Sequence, residues 1–250
     1  MGPRGEGPVP DRAARRGQAP AAQEGVAPEE RCKEGRGLRC FHDPNPCHSS
    51  AIAKLIEQYP IKSENVICHI RQANVGGVSL ANTHPFTREL WGQYWAFAHN
   101  GQLGDFNPDS GHYTPVGDTD SEAIFCHLLN NLVRRYSKSP SLAEIADTLS
   151  QCCAPLRELG VCNLMLSNGD WLFTLCTSKL HWITRRAPFG PAVLSDIDLE
   201  IDFQQHTTRN DVVTVIATEP LTSNEQWQAY ETGEWRLWEK GETKMKGHCY

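Results

Sequence analysis

The chain has 250 residues, 39% of them hydrophobic, which suffices for one ordinary domain with a substantial core. Its formal charge of −6 and sequence pI near 5.9 provide no basic stripe, so nucleic acid and anionic membrane are disfavoured as main partners. No apolar run approaches about eighteen residues and no apolar leader core is visible, so neither a spanning helix nor a secretory signal is expected, and the expected compartment is the cytoplasm.

Met1 to about Glu34 is rich in Gly, Pro, Ala, Arg and Glu and has no aromatic residue. Such a segment cannot offset its own ordering entropy and is expected to be disordered, or unrelated to a domain spanning 35–250. The ten cysteines are scattered with no CxxC pair, against a zinc site or a disulfide framework, and no metal or cofactor is expected. Cys68 and Cys176 sit in apolar runs and read as core filler. His42 and His48 flank Cys47, but Pro44 and Pro46 make this a turn-rich loop rather than a metal site.

Ser49 and Ser50 precede Ile52, Leu55, Ile56 and Tyr59 at helical spacing, stopped by Pro60, so a short amphipathic helix is expected there. Val66 to Arg71 reads as a strand, with Ile67, His69 and Arg71 on one face and Val66, Cys68 and Ile70 on the other. Next, Trp95 to Leu103 is an apolar run expected to halt at a His99, Asn100, Gly101 turn. That turn would present one side-chain amide and one backbone N–H together, a pair able to hold an oxyanion. The plain alternative is a strand ending in an ordinary Asn-Gly turn.

Thr119 to Glu122 matches a capping box, followed by Ile124, Leu128 and Leu132 on one helical stripe, with Asp120 in the first turn. A second helix is expected from Ser139, with Pro140 at its first position, carrying Leu142, Ile145, Leu149 and Leu156 to a stop at Gly160. Pro155 should kink or divide it. Cys162–Ser167 and Trp171–Cys176 flank Asn168 and Gly169, a type I′ hairpin signal, and Leu180–Thr184 and Asp211–Thr218 supply further strands. Hairpins dominate the second half, so the expected fold is α+β with mostly antiparallel sheets covered by helices.

Three runs occur in fixed order: Cys68 to Ala73 (CHIRQA), Ala98 to Leu103 (AHNGQL) and Gly117 to Glu122 (GDTDSE), with Asn82 to Phe86 (NTHPF) between the first two. Together, over roughly residues 36 to 240, they resemble the class II glutamine amidotransferases, and within them a stand-alone subgroup. The resemblance implies a four-layer αββα N-terminal-nucleophile hydrolase sandwich. It also gives each run a task. Arg71 would fork onto the α-carboxylate of glutamine or another γ-glutamyl small molecule, because a planar guanidinium matches a carboxylate bidentately. Asp120 would take the α-ammonium group. Asn100 and the Gly101 N–H would stabilise the tetrahedral intermediate, each such donor being worth about 3 kcal/mol. The family mechanism needs no histidine base, so His69, His84 and His99 read as packed or hydrogen-bonded residues.

In this family the nucleophile is a cysteine at the mature N-terminus, whose thiol attacks the γ-amide carbon while its own amine moves protons. Here residue 2 is Gly2 and the first cysteine is Cys32, in a polar run. The family's opening strand, helix and second strand are not visible, so the sandwich is expected to be incomplete at its N-terminus. Two functions follow: an amidotransferase-like chain without its thiol and hence inactive, or a silent protein that binds γ-glutamyl ligands or a partner. Neighbouring strands that lack partners would lower stability or recruit a protein partner, a second copy included.

Overall fold

The computed structural model describes residues 37–58, 61, 63–70, 77–108, 110–197, 199–203 and 207–249. The expected disorder of 1–34 and the residue Arg71 both lie outside them. Helix α1, Ala51–Gln58, follows Ser50, whose hydroxyl accepts the Ala53 N–H at 3.0 Å.

Six strands build the main sheet: β1, Phe86–Leu90; β2, Gln93–Leu103; β3, Gly160–Ser167; β4, Leu172–Leu175; β10, Glu234–Glu239; and β11, Glu242–His248. They lie in the order β1-β2-β3-β4-β10-β11, with every neighbouring pair antiparallel. A second sheet has the order β8-β5-β9, from His181–Arg186 (β5), Val212–Ala217 (β8) and Gln228–Ala229 (β9). A small ribbon pairs Pro191–Val193 (β6) with Glu200–Asp202 (β7).

Helices α2, Asp120–Arg135, and α3, Leu142–Cys153, cover one face of the main sheet. Alternation along β2 sends Trp95 and Phe97 to that face, where both are fully buried. Phe97 stacks on Phe125 of α2 at 5.2 Å, and Trp95 meets Trp171 edge-on at 5.1 Å. Each such side chain contributes about 1.5–3 kcal/mol by leaving water. On the opposite face, Trp238 of β10 and Cys176 pack against Trp182 of β5 and Ile216 of β8. The described layers therefore run helices, sheet, sheet, an α+β order with antiparallel sheets that supplies three of the four layers expected. No described helix is long and apolar enough to cross a membrane.

Several local expectations are corrected. The strand β2 does not halt at Asn100 and Gly101 but continues to Leu103, because β3 pairs with it throughout, Asn100 opposite Asn163 and Gly101 opposite Cys162. Residues 65–70 form no strand. Their burial still alternates, with Ile67 and His69 half-buried and Val66, Cys68 and Ile70 exposed, so Cys68 is not core filler. A period of two survives there without a ladder. Helix α3 starts two residues later than expected, because Ser141 and Glu144 form the reciprocal capping box. It ends at Cys153, and Pro155–Leu159 continues as a 3-10 turn, the division expected at Pro155. The β3–β4 connection holds four residues, 168–171, rather than the two of a type I′ turn, since Ser167 pairs with Leu172.

Candidate active site

The end of β2 and the start of α2 meet at one edge of the main sheet, and the alternation of β2 divides what it presents there. His99 points towards α2 and Asn100 towards the second sheet. Asn100 is exposed, and its Nδ2 donates to Thr218 Oγ1 at 3.0 Å, just beyond β8. One of its two amide hydrogens thus braces it, leaving the other for a ligand.

Its main-chain oxygen accepts from Asn163 Nδ2 at 3.1 Å. Asn163 is buried, and the rest of its amide is spent on one turn. Nδ2 also donates to Ser178 Oγ at 2.8 Å, while Oδ1 accepts the N–H groups of Thr177, Ser178 and Lys179 at 3.0, 3.1 and 3.4 Å. Lys179 in turn pairs with Glu219, the neighbour of Thr218. Asn100 therefore sits inside a closed ring of contacts drawn from β2, β3, the 177–179 turn and the end of β8.

Gly101 is in the strand because nothing larger fits. A Cβ there would lie 1.9 Å from the Val161 carbonyl oxygen and 2.8 Å from His99 Nε2. Glycine in a strand commonly marks such a close backbone approach.

On the helix side, His99 is 2% exposed, with Nε2 3.2 Å from the Val161 carbonyl and Nδ1 2.9 Å from Ser121 Oγ. A carbonyl only accepts, so Nε2 carries the proton and Nδ1 accepts from the Ser121 hydroxyl. Burial lowers the His99 pKa from its ordinary value, against a smaller opposite pull from Asp120, so the ring is neutral.

Asp120 is the first residue of α2 and half-buried. Its Oδ2 accepts the Leu103 N–H at 2.8 Å and its Oδ1 the Ser121 N–H at 2.8 Å. The carboxylate is thereby tied to β2 two residues beyond Gly101, and each oxygen keeps a lone pair for a cation.

The approach to Asp120 is held by Glu122 and Asn82. Thr119 caps α2 by accepting the Glu122 N–H at 3.3 Å, but the expected reciprocal bond of the capping box is not made. Glu122, 1% exposed, instead accepts the Val116 and Gly117 N–H groups at 3.0 and 2.7 Å and pairs with Arg88 of β1 at 2.5 Å. Asn82 brackets Asp118, accepting its N–H at 3.1 Å and donating to its Oδ1 at 2.6 Å.

Of the four residues expected to form the site, Asp120 is joined to β2 at Leu103, two residues beyond Gly101, and Asn100 lies beside Gly101 on the face turned to the second sheet, while Arg71 lies outside the described residues. Asn163, Thr218 and Ser121 were not anticipated. Single polar residues in apolar or loop contexts have no spacing signature, and only the long-range pairing of β2 with β3 and the approach of β8 give them a role.

No buried cysteine substitutes for a thiolate here. Cys162, opposite Gly101, is fully buried and its thiol is pushed up to about 12 by burial and then by Asp120. Cys176 and Cys249 are each pushed up to about 11, again by burial. A thiol so raised is neutral and a poor nucleophile.

The chain is similar to known proteins. The sequence profile of the glutamine amidotransferases class-II matches residues 12–249. YafJ of Escherichia coli (strain K12), which carries a glutamine amidotransferase name, is 55% identical over 211 residues, 84% of this chain and 83% of YafJ. A similarly named protein of Haemophilus influenzae is 45% identical over 210 residues, covering 84% of this chain and 71% of that protein. The crystal structure of a predicted glutamine amidotransferase from Pseudomonas aeruginosa superposes with a TM-score of 0.73 at 55% identity, covering 85% of this chain and 84% of that one. With a profile match across nearly the whole chain and relatives this similar, the chain belongs to the class II glutamine amidotransferases.

Proposed function

We propose that this chain recognises glutamine, or a γ-glutamyl amide, at the edge where β2 ends and α2 begins, and that it binds that amide without hydrolysing it. The observation that carries the reading is the pairing of an exposed, braced Asn100 amide with an Asp120 carboxylate fixed to Leu103 of the same strand. An amide donor suits a γ-amide carbonyl and a carboxylate suits an α-ammonium. By the family likeness, Arg71 would take the α-carboxylate.

The family reaction requires a nucleophile whose thiol adds to the γ-carbon, expels ammonia and leaves a thioester for water to cleave. Among the described residues, the raised thiols of Cys162, Cys176 and Cys249 supply no such nucleophile. Oxyanion donors without a nucleophile bind the amide and leave it intact. The protein then acts as a γ-glutamyl-ligand binder within the cytoplasm.

Calorimetry with L-glutamine and a coupled ammonia assay on the same preparation test both halves. Saturable binding without ammonia release is expected, and Arg71→Ala should abolish the binding. Ammonia release in proportion to protein would overturn the inactive half. Undiminished affinity in R71A would overturn the pocket.

A further inference from the structure

We infer that His99 is a positioning residue for the ammonium subsite, holding the Ser121 hydroxyl turned away from Asp120 so that Asp120 Oδ1 stays open to the ligand. The inference rests on the proposed role of Asp120 and goes beyond it. Ser121 has two acceptors in reach of its one hydroxyl hydrogen: His99 Nδ1 at 2.9 Å and Asp120 Oδ1 at 3.4 Å. Which one receives it is decided on the far side of the imidazole, where Nε2 faces the Val161 carbonyl at 3.2 Å. That carbonyl requires a donor, so Nδ1 is left as an acceptor, and the shorter contact takes the hydrogen.

The carboxylate then receives only main-chain donors, Leu103 N–H at Oδ2 and Ser121 N–H at Oδ1. Were the hydroxyl released, it would turn to Oδ1 and compete with the incoming ammonium for the same lone pair. Ser121 and His99 are both buried, so water does not act as a substitute acceptor. Burial also excludes the other reading of a serine beside a histidine, that of a nucleophile and its base, because no substrate carbonyl reaches Ser121 Oγ. The contact is a device for orientation rather than for bond-making.

The test compares two ligands and two variants with wild-type protein by calorimetry. Glutaramate, which is glutamine without its α-amino group, makes no call on Asp120. Wild-type protein should prefer glutamine. In His99→Phe the freed hydroxyl should cut glutamine affinity about tenfold while leaving glutaramate affinity within about twofold. Adding Ser121→Ala to H99F removes the competing hydroxyl and should restore the preference, which a purely structural role for His99 would not do. Equal losses for both ligands in H99F, or no recovery in the double variant, would overturn the inference. Should H99F not fold, long-range nitrogen-detected NMR of wild-type protein remains as a readout. It should show Nδ1 of His99 unprotonated, and a proton on Nδ1 would overturn the inference without any ligand present. Wild-type protein that binds neither ligand would instead remove the function on which it rests.

Discussion

Asn163, buried on β3, donates from Nδ2 to the main-chain oxygen of Asn100, 3.1 Å away on β2, and accepts three N–H groups of the 177–179 turn at its Oδ1. One amide thus fastens β2 to the turn beside it. Asn163→Ala leaves those turn N–H groups without their acceptor and should lower the unfolding free energy by about 2–3 kcal/mol. Urea denaturation of the two proteins checks this, and superimposable curves would refute it.

Gly101→Ala should be more damaging than its single methyl suggests. The added carbon falls 1.9 Å from the Val161 carbonyl, a backbone atom inside a paired ladder that cannot move without breaking the pairing of β2 with β3. A loss of about 3 kcal/mol is expected. The same substitution at Gly190, where nothing lies within 4 Å, meets no such overlap, so thermal melts of the two variants should differ by several degrees.

Glu122 joins β1 to the loop that leads into α2, through Arg88 and the N–H groups of Val116 and Gly117. Removing the acid takes the carboxylate from a half-buried guanidinium and two main-chain donors. Glu122→Ala should therefore cost about 3–5 kcal/mol, against a much smaller loss for the exposed pair Arg186 and Glu242 when Glu242→Ala is made. Chemical denaturation of both single variants gives the comparison.

Alkaline pH should weaken the fold through its buried thiols. An unfolded cysteine titrates near 8.5, whereas burial, with Asp120 second, pushes Cys162 up to about 12. Between those values the unfolded chain has released a proton that the folded chain keeps. The stabilisation is complete below about pH 8.5 and is lost as pH rises towards 12. Cys176 and Cys249, each pushed up to about 11, act in the same direction. Melting midpoints should fall above about pH 8.5, and Cys162→Ala should fall less steeply; parallel slopes would count against this account.

Legibility from the sequence followed the range of the interaction. Helix α2 was readable because its Thr119 cap and its stripe of Ile124, Leu128 and Leu132 are local signals. The end of β2 was misplaced because an Asn-Gly pair is a local turn signal, overridden here by the pairing of Asn100 and Gly101 with Asn163 and Cys162. The segment at Val66 to Ile70 shows the same division: its period of two is written in the side chains and survives as alternating burial, while a ladder needs a second strand that no local pattern supplies. Asn100 and Gly101 stood out by residue type but were equally an ordinary Asn-Gly turn until family likeness favoured one reading, Asp120 needed that likeness, and Asn163 and Ser121 gave no signal, since each becomes meaningful only across a strand pair or a helix contact.

The strand β2 carries Asn100 on one face and His99 on the other, one residue apart and separated by the thickness of a single sheet. The customary division of labour, in which the helical core supplies rigidity and a surface loop supplies chemistry, does not hold at such a place. A substitution deep under α2 that rotates β2 by a few degrees is felt at Asn100 as directly as a change in the pocket itself. Random mutagenesis of this protein should accordingly recover binding defects among residues of the helix-facing core, and efforts to stabilise it by repacking α2 will alter ligand recognition unless the strand is held fixed.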